Sequence, residues 1–274
     1  MLGAIIGDIA GSAYEFNNIK TKDFELFKNC FFTDDTVMTC AVAKALLESR
    51  LTDDCGDCSI IRNNIIKQMK YFGRKYENVG YGERFKEWLK SDDDKPYNSW
   101  GNGSAMRVSA AGWLYDSLEL TRTVAAATAD VTHNHPDGLK GAEAVASVIY
   151  LARKRRKKQE IREYVEREFY KLDKTCDEIR PTYTFHASCQ KTVPQAITVF
   201  LEGKDFEDVL RTAVSLGGDS DTLTCIACSM GEAYYGIPES IYTRVPHFLN
   251  GQYELMEIIS DFYLTARWQF LRNI

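Results

Sequence analysis

Apolar positions along this chain of 274 residues recur every three or four places, and sustained two-residue alternation is scarce. That spacing gathers apolar side chains on one face of a helix, whereas a half-buried strand would alternate them. Val37, Cys40, Ala41 and Leu47 form one such face, and Val209, Ala213 and Leu216 another. An apolar helix is predicted at the start of the chain, ending near Glu15, and a second follows Thr33. Further helices are predicted at about 58–73, 80–90, 104–117, 120–131, 138–153, 159–170, 191–201, 205–216, 221–235 and 253–271.

Their boundaries have local causes. Pro136 and Pro238 suit first helical turns, Ser91 to Pro96 breaks one run, and Gly217-Gly218 stops another. No Gly/Ser linker or low-complexity tract divides the chain. The expected fold is therefore all-α, one compact domain over residues 1–274.

Composition narrows the function classes. Hydrophobic residues make up 45% and charged ones 27%, and the formal charge of -5 offers no general attraction to nucleic acid or acidic membranes. The apolar opening is interrupted by Asp8 and lacks a basic leader, and no run reaches the roughly 18 to 20 apolar residues that span a bilayer. A cytoplasmic protein, monomeric and away from the membrane, is the expectation. The basic run Arg153 to Lys158 has no interleaved aromatics and reads as a solvated helix end, with nucleic-acid contact the weaker alternative. The eight cysteines suggest reduced thiols. Cys55-x-x-Cys58 and Cys225-x-x-Cys228 have zinc-knuckle spacing, but both fall at or within helical text, where packing explains them as well.

Chemistry concentrates at the helix breaks. Thr33-Asp34-Asp35-Thr36 near the start is echoed by Asp219-Ser220-Asp221-Thr222 near the end. Either phrase alone reads as a helix cap. Brought together they would be costly, since two carboxylates about 4 Å apart repel by roughly 4 kcal/mol at an effective dielectric near 20. A hard divalent cation such as magnesium, manganese or calcium is the simplest neutraliser of an oxygen-only set. Asp8, in the small-residue phrase Gly7 to Ser12, reads equally as a hydrogen-bonded structural carboxylate or as a direct participant. Glu15, at the helix end, is the better proton-transfer candidate. Gly101-Asn102-Gly103-Ser104-Ala105-Met106-Arg107 is a glycine turn entering a helix, either a plain turn or a phosphate cradle. His133 and His135 flank Asn134 at another break, suited to hydrogen bonding more than to zinc.

Taken in order, GAIIGDIAGSAYE (3–15), TDDT (33–36), GNGSAMR (101–107), THNHP (132–136) and GGDSDT (217–222) resemble the ADP-ribosylglycohydrolase family. The resemblance implies an all-α helical bundle with two magnesium ions at the bottom of a cleft, manganese being a substitute. It implies metal ligation by Thr33, Asp34, Asp35, Asp219, Asp221 and Thr222, and substrate contacts from Gly101, Asn102, Gly103, Ser104, Met106, His133 and His135. Glu15 matches the family glutamate beside the metals, and Glu15 or Asp35 would manage protons. The implied reaction is hydrolysis at C1″ of ADP-ribose, on a modified arginine or serine side chain or a related ADP-ribosyl ester. A catalytically silent ADP-ribose reader and a plain helical scaffold are the rival expectations.

Overall fold

The structure, a computed structural model, describes residues 1–49 and 58–272. Helices α1 (Leu2–Ser12), α2 (Asp34–Ser49), α3 (Ser59–Lys75) and α4 (Glu83–Lys90) precede two short ones, α5 (Gly103–Met106) and α6 (Ser109–Leu114). Next come α7 (Leu118–Asp130), α8 (Pro136–Arg153), α9 (Lys158–Glu168), α10 (Cys176–Ile179), α11 (Cys189–Glu202), α12 (Phe206–Leu216) and α13 (Ser220–Tyr235). The last are α14 (Glu239–Tyr242), α15 (Val245–Phe248) and α16 (Tyr253–Arg272). No strand occurs among the described residues; one isolated bridge joins Gly101 to Ser188.

Helices buried all round belong at the centre of a bundle, and α1 and α13 are such helices. Residues Gly3 to Ser12 of α1 and Ser220 to Ala233 of α13 are all buried. Around this pair pack α2, α8, α11 and α12, with α3 against α2 and α7 against α8. One continuous apolar core results.

The two central helices touch through glycine. Gly3, Gly7 and Gly11 recur every four residues and so share one face of α1. A Cβ on them would meet Cys228 O at 2.3 Å, Thr224 O at 2.3 Å and Ser220 O at 2.4 Å respectively. The pairing runs antiparallel, so the end of α1 lies at the start of α13, and Glu15 arrives beside the second acidic phrase.

Some expected elements differ. The predicted helix 104–117 is split at Arg107 and Val108, where the Arg107 side chain turns inward to reach Thr128 O and Thr132 Oγ1. Helix 80–90 begins only at Glu83, because Gly80 takes a φ of +106°. Helices α10 and α15 lie outside the predicted runs, since four residues carry no periodicity, although α10 opens with a Thr175/Glu178 capping box; α14 begins directly after Pro238, the proline expected at a helix start. Cys225 and Cys228 are fully buried on α13, with Cys225 Sγ donating to Met106 O, while Cys55 lies outside the described residues.

Candidate active site

The first acidic phrase is held from below by α1. Asp8 is fully buried and its carboxylate accepts from Thr33 N (2.9 Å), Thr33 Oγ1 (2.6 Å), Thr36 N (3.1 Å) and Thr36 Oγ1. It thus caps α2 from a different helix, meeting donors that the first turn cannot satisfy itself. Asp34 and Asp35 follow in that first turn, where the helix dipole favours negative charge.

The second phrase depends on a special backbone. Gly217 and Gly218 adopt φ of +70° and +74°, a conformation open mainly to glycine, and a Cβ on Gly218 would stand 2.5 Å from the Tyr183 ring. Asn18 clasps this turn: its Oδ1 accepts from Gly218 N at 2.7 Å while its Nδ2 donates to Gly218 O and to Glu15 O. The clasp ties the Glu15 segment to the start of α13.

The two phrases meet. Thr222 Oγ1 donates to Asp35 Oδ2 at 3.1 Å, and carboxylate oxygens of Asp8, Asp35 and Asp221 lie within 4.8 Å of one another. Glu15, Asp219 and Asp221 form a second such trio, so Asp221 belongs to both. Asp35 Oδ1 is buried without any hydrogen-bond partner. A buried, orphaned carboxylate oxygen inside a ring of acids has the donor chemistry of a hard-cation ligand.

Electrostatics agree with that geometry. Burial first, then the neighbouring carboxylates, pushes the Asp35 and Asp221 carboxyls well above the ordinary range. The Asp34 carboxyl is pushed up to about 8 by loss of water and by Asp8 and Asp219. Glu15 rises to about 7, again from burial, with Asp219 and Asp8 adding to it.

These acids form one wall of a cavity of about 630 Å³. The glycine loop forms another, pinned by Asn102 N to Ala187 O (2.9 Å) and Cys189 N to Trp100 O (3.0 Å). Asn102 Nδ2 donates to Asp219 Oδ2 at 2.7 Å, linking the loop directly to the acids. Gly101, Asn102, Gly103 and Met106 line the cavity. Ser104 does not: it is buried beneath, its Oγ donating to Gly138 O at 2.8 Å.

The two histidines separate. His133 lines the cavity, buried, with Nδ1 2.8 Å from Thr132 Oγ1; burial, then Arg107 and Arg84, keeps it well below the usual imidazole value and hence neutral. His135 instead caps α8, accepting from Asp137 N at 3.1 Å, and its ring supports Trp100 edge-on. Sequence reasoning left Asp8 open and passed over Arg84, Tyr97 and Phe185, which also line the cavity or its acid floor. The latter three sit outside any recurring phrase, so no spacing signals them.

An all-α bundle thus sets a carboxylate-lined cleft against a glycine loop. The chain belongs to the ADP-ribosylglycohydrolase family, whose model matches residues 1–270. It is an ADP-ribosyl hydrolase, a glycosidase-type enzyme. It is similar to human ADP-ribosylhydrolase ARH3, at 26% identity over 317 residues, covering 88% of this chain and 86% of that protein. An uncharacterised protein of Archaeoglobus fulgidus is 32% identical over 154 residues, covering 50% of each. Among solved structures, one titled ADP-ribosylglycohydrolase-related protein complex superposes with a TM-score of 0.68 at 21% identity, covering 97% of this chain and 95% of that one, a likeness of fold. The family is metal-dependent, and the acidic cluster can hold a metal ion. No described helix is long and apolar enough to cross a membrane.

Proposed function

We propose that this chain hydrolyses the bond at C1″ of ADP-ribose in a magnesium-dependent reaction, releasing it from a modified arginine or serine side chain or from a related small ADP-ribosyl ester. The observation carrying this reading is the buried acid cluster with the orphaned Asp35 Oδ1, joined by Asn102 to the glycine loop. Thr33, Asp34, Asp35, Asp219, Asp221 and Thr222 would hold two magnesium ions, or manganese in their place, with Asp8 beneath them. Bound metal would neutralise the cluster and polarise the ribose hydroxyls and a water.

The protein's own groups supply the rest. Glu15 is half-buried beside Asp219 and Asp221, its carboxyl pushed up to about 7 in the metal-free protein chiefly by burial, and from that place it would accept a proton from water or give one to a departing acceptor. Asp35 is the weaker candidate for that role, because its Oδ2 already accepts from Thr222. The loop at Gly101–Gly103 would hold the diphosphate and distal ribose, with the neutral His133 imidazole beside it and Met106 beneath. Fixing both ends of the sugar would limit its motion as the anomeric carbon gains positive charge.

The free thiols of the seven described cysteines suit a reducing compartment, and we assign the enzyme to the cytoplasm as a monomer. The test is release of free ADP-ribose from defined arginine, serine and O-acetyl linkages, with magnesium and with chelator. Asp35→Ala and Asp219→Ala should each lose roughly a hundredfold or more. Full turnover in chelator and in both variants would overturn the assigned site, and binding without turnover on every linkage would favour a silent reader.

A further inference from the structure

The cavity that carries the acids also carries two guanidinium groups with no carboxylate partner. Neither Arg84 nor Arg107 forms an ion pair among the described residues, and both line the cavity. Arg107 is 1% exposed; its Nη2 donates to Thr132 Oγ1 at 2.8 Å and to Thr128 O at 3.3 Å, and its Nε is buried with no partner. The charge of Asp34 reaches it without forming a contact. A buried cation lacking a counter-ion is costly to keep, and an anion arriving in the cavity would offset that cost.

Arg84 stands at the start of α4, exposed at the cavity mouth. Its guanidinium lies over the Tyr97 ring, 4.9 Å from the centroid, and Nη2 donates to Tyr97 O. Tyr97 in turn stands 6.0 Å from the His133 ring. Thr132 Oγ1 takes a hydrogen from Arg107 and lies 2.8 Å from His133 Nδ1, so that hydrogen bond engages Nδ1 and leaves Nε2 as the ring nitrogen free to meet a ligand. That Nε2 stands 3.3 Å from where a Cβ would sit on Gly101 or on Gly103, so the two glycines leave it uncovered. Two cations and a neutral imidazole therefore line the same cavity as the carboxylates Glu15, Asp34, Asp35, Asp219 and Asp221.

We propose that Arg84 is a specificity-determining residue that, with Arg107, receives the diphosphate of a nucleotide. Arg107 is the buried floor and Arg84 the exposed arm, and these two, rather than the carboxylates that line the same cavity, would draw the phosphates. The nucleotide's identity rests on the ADP-ribosyl reading above; the preference for a diphosphate rests on the guanidinium groups alone.

Titration calorimetry of the magnesium-loaded protein with ADP and with adenosine tests it, because neither ligand has a bond for the enzyme to cut. Arg84→Gln should weaken ADP roughly tenfold and leave adenosine within about twofold, with Arg84→Lys recovering part of the loss. Added salt should weaken ADP more in the wild type than in Arg84→Gln. Equal weakening of ADP and adenosine would mean that Arg84 only supports Tyr97 and would overturn the proposal. So would unchanged ADP affinity, or a wild type that does not prefer ADP to adenosine. An ADP preference that depends on Arg84 in a protein that releases no ADP-ribose would sink the hydrolytic reading and sustain this one.

Discussion

Removing a carboxylate from the centre of the cluster should make the metal-free protein more stable. Asp221 belongs to both acid trios, with oxygens within 4.8 Å of those of Asp8 and Asp35. Each fully charged pair at that separation costs about 3 to 4 kcal/mol at an effective dielectric near 20. Much of this is already relieved, since the same burial and crowding drive these carboxyls to hold protons. Asp221→Asn keeps the acceptor that Thr222 N uses and adds amide donors facing its neighbours. A net gain of about 1 to 3 kcal/mol at pH 8 in chelator follows. At about 2 to 4 °C per kcal/mol for a chain near this size, the melting point should rise by about 2 to 12 °C. Magnesium reverses the ranking: at a hundred times its dissociation constant it adds about 2.7 kcal/mol to the wild type, and the variant should gain less than about a third of that. Differential scanning fluorimetry across a magnesium titration reads both effects. An Asn variant that melts below the wild type in chelator and gains as much from magnesium would refute the reasoning.

The pH dependence follows from the same carboxyls. A carboxyl raised in the folded state binds a proton that the unfolded chain has already lost, so metal-free stability should fall as pH rises from about 4.5 through about 7 for Glu15 and from 3.8 through about 8 for Asp34. Denaturation midpoints in chelator that stay level or climb over pH 5 to 8 would contradict this, and saturating magnesium should flatten the curve. Gly7→Ala gains up to about 1 kcal/mol in helix propensity but drives a Cβ to 2.3 Å from Thr224 O, so a net loss of about 2 kcal/mol in urea unfolding is expected. A stabilised variant would show that α1 and α13 are not in such close contact. Asn102→Ala removes the donor to Asp219 and should weaken magnesium affinity roughly tenfold or more by calorimetry, with little change in melting point without metal. Unaltered affinity would detach the loop from the metal centre.

Periodicity located the long helices well, because a helix such as α8 or α12 repeats its apolar face over several turns. Ends and short elements escaped it. The break between α5 and α6 is made by one buried side chain, Arg107, whose partners Thr128 and Thr132 lie on another element. The acidic phrases advertised the site through their repetition and order. His135 carried the same local signal as His133, yet one caps a helix and the other faces the cavity, a difference made by the backbone turn at Pro136.

Local spacing alone determined that this chain is helical, where its long helices break, and that its acids gather in two matched turns, because each of these depends on neighbours a few residues apart. Which acids touch was decided by packing. The glycine face of α1 lets α13 approach backbone to backbone, and only that antiparallel contact brings Asp8 and Glu15 among Asp35, Asp219 and Asp221. The cations that line the cavity, Arg84 and Arg107, were likewise settled by tertiary structure, since solvent exposure, the absence of an ion-pair partner among the described residues and the direction of a side chain are properties of the folded cavity and of no single segment.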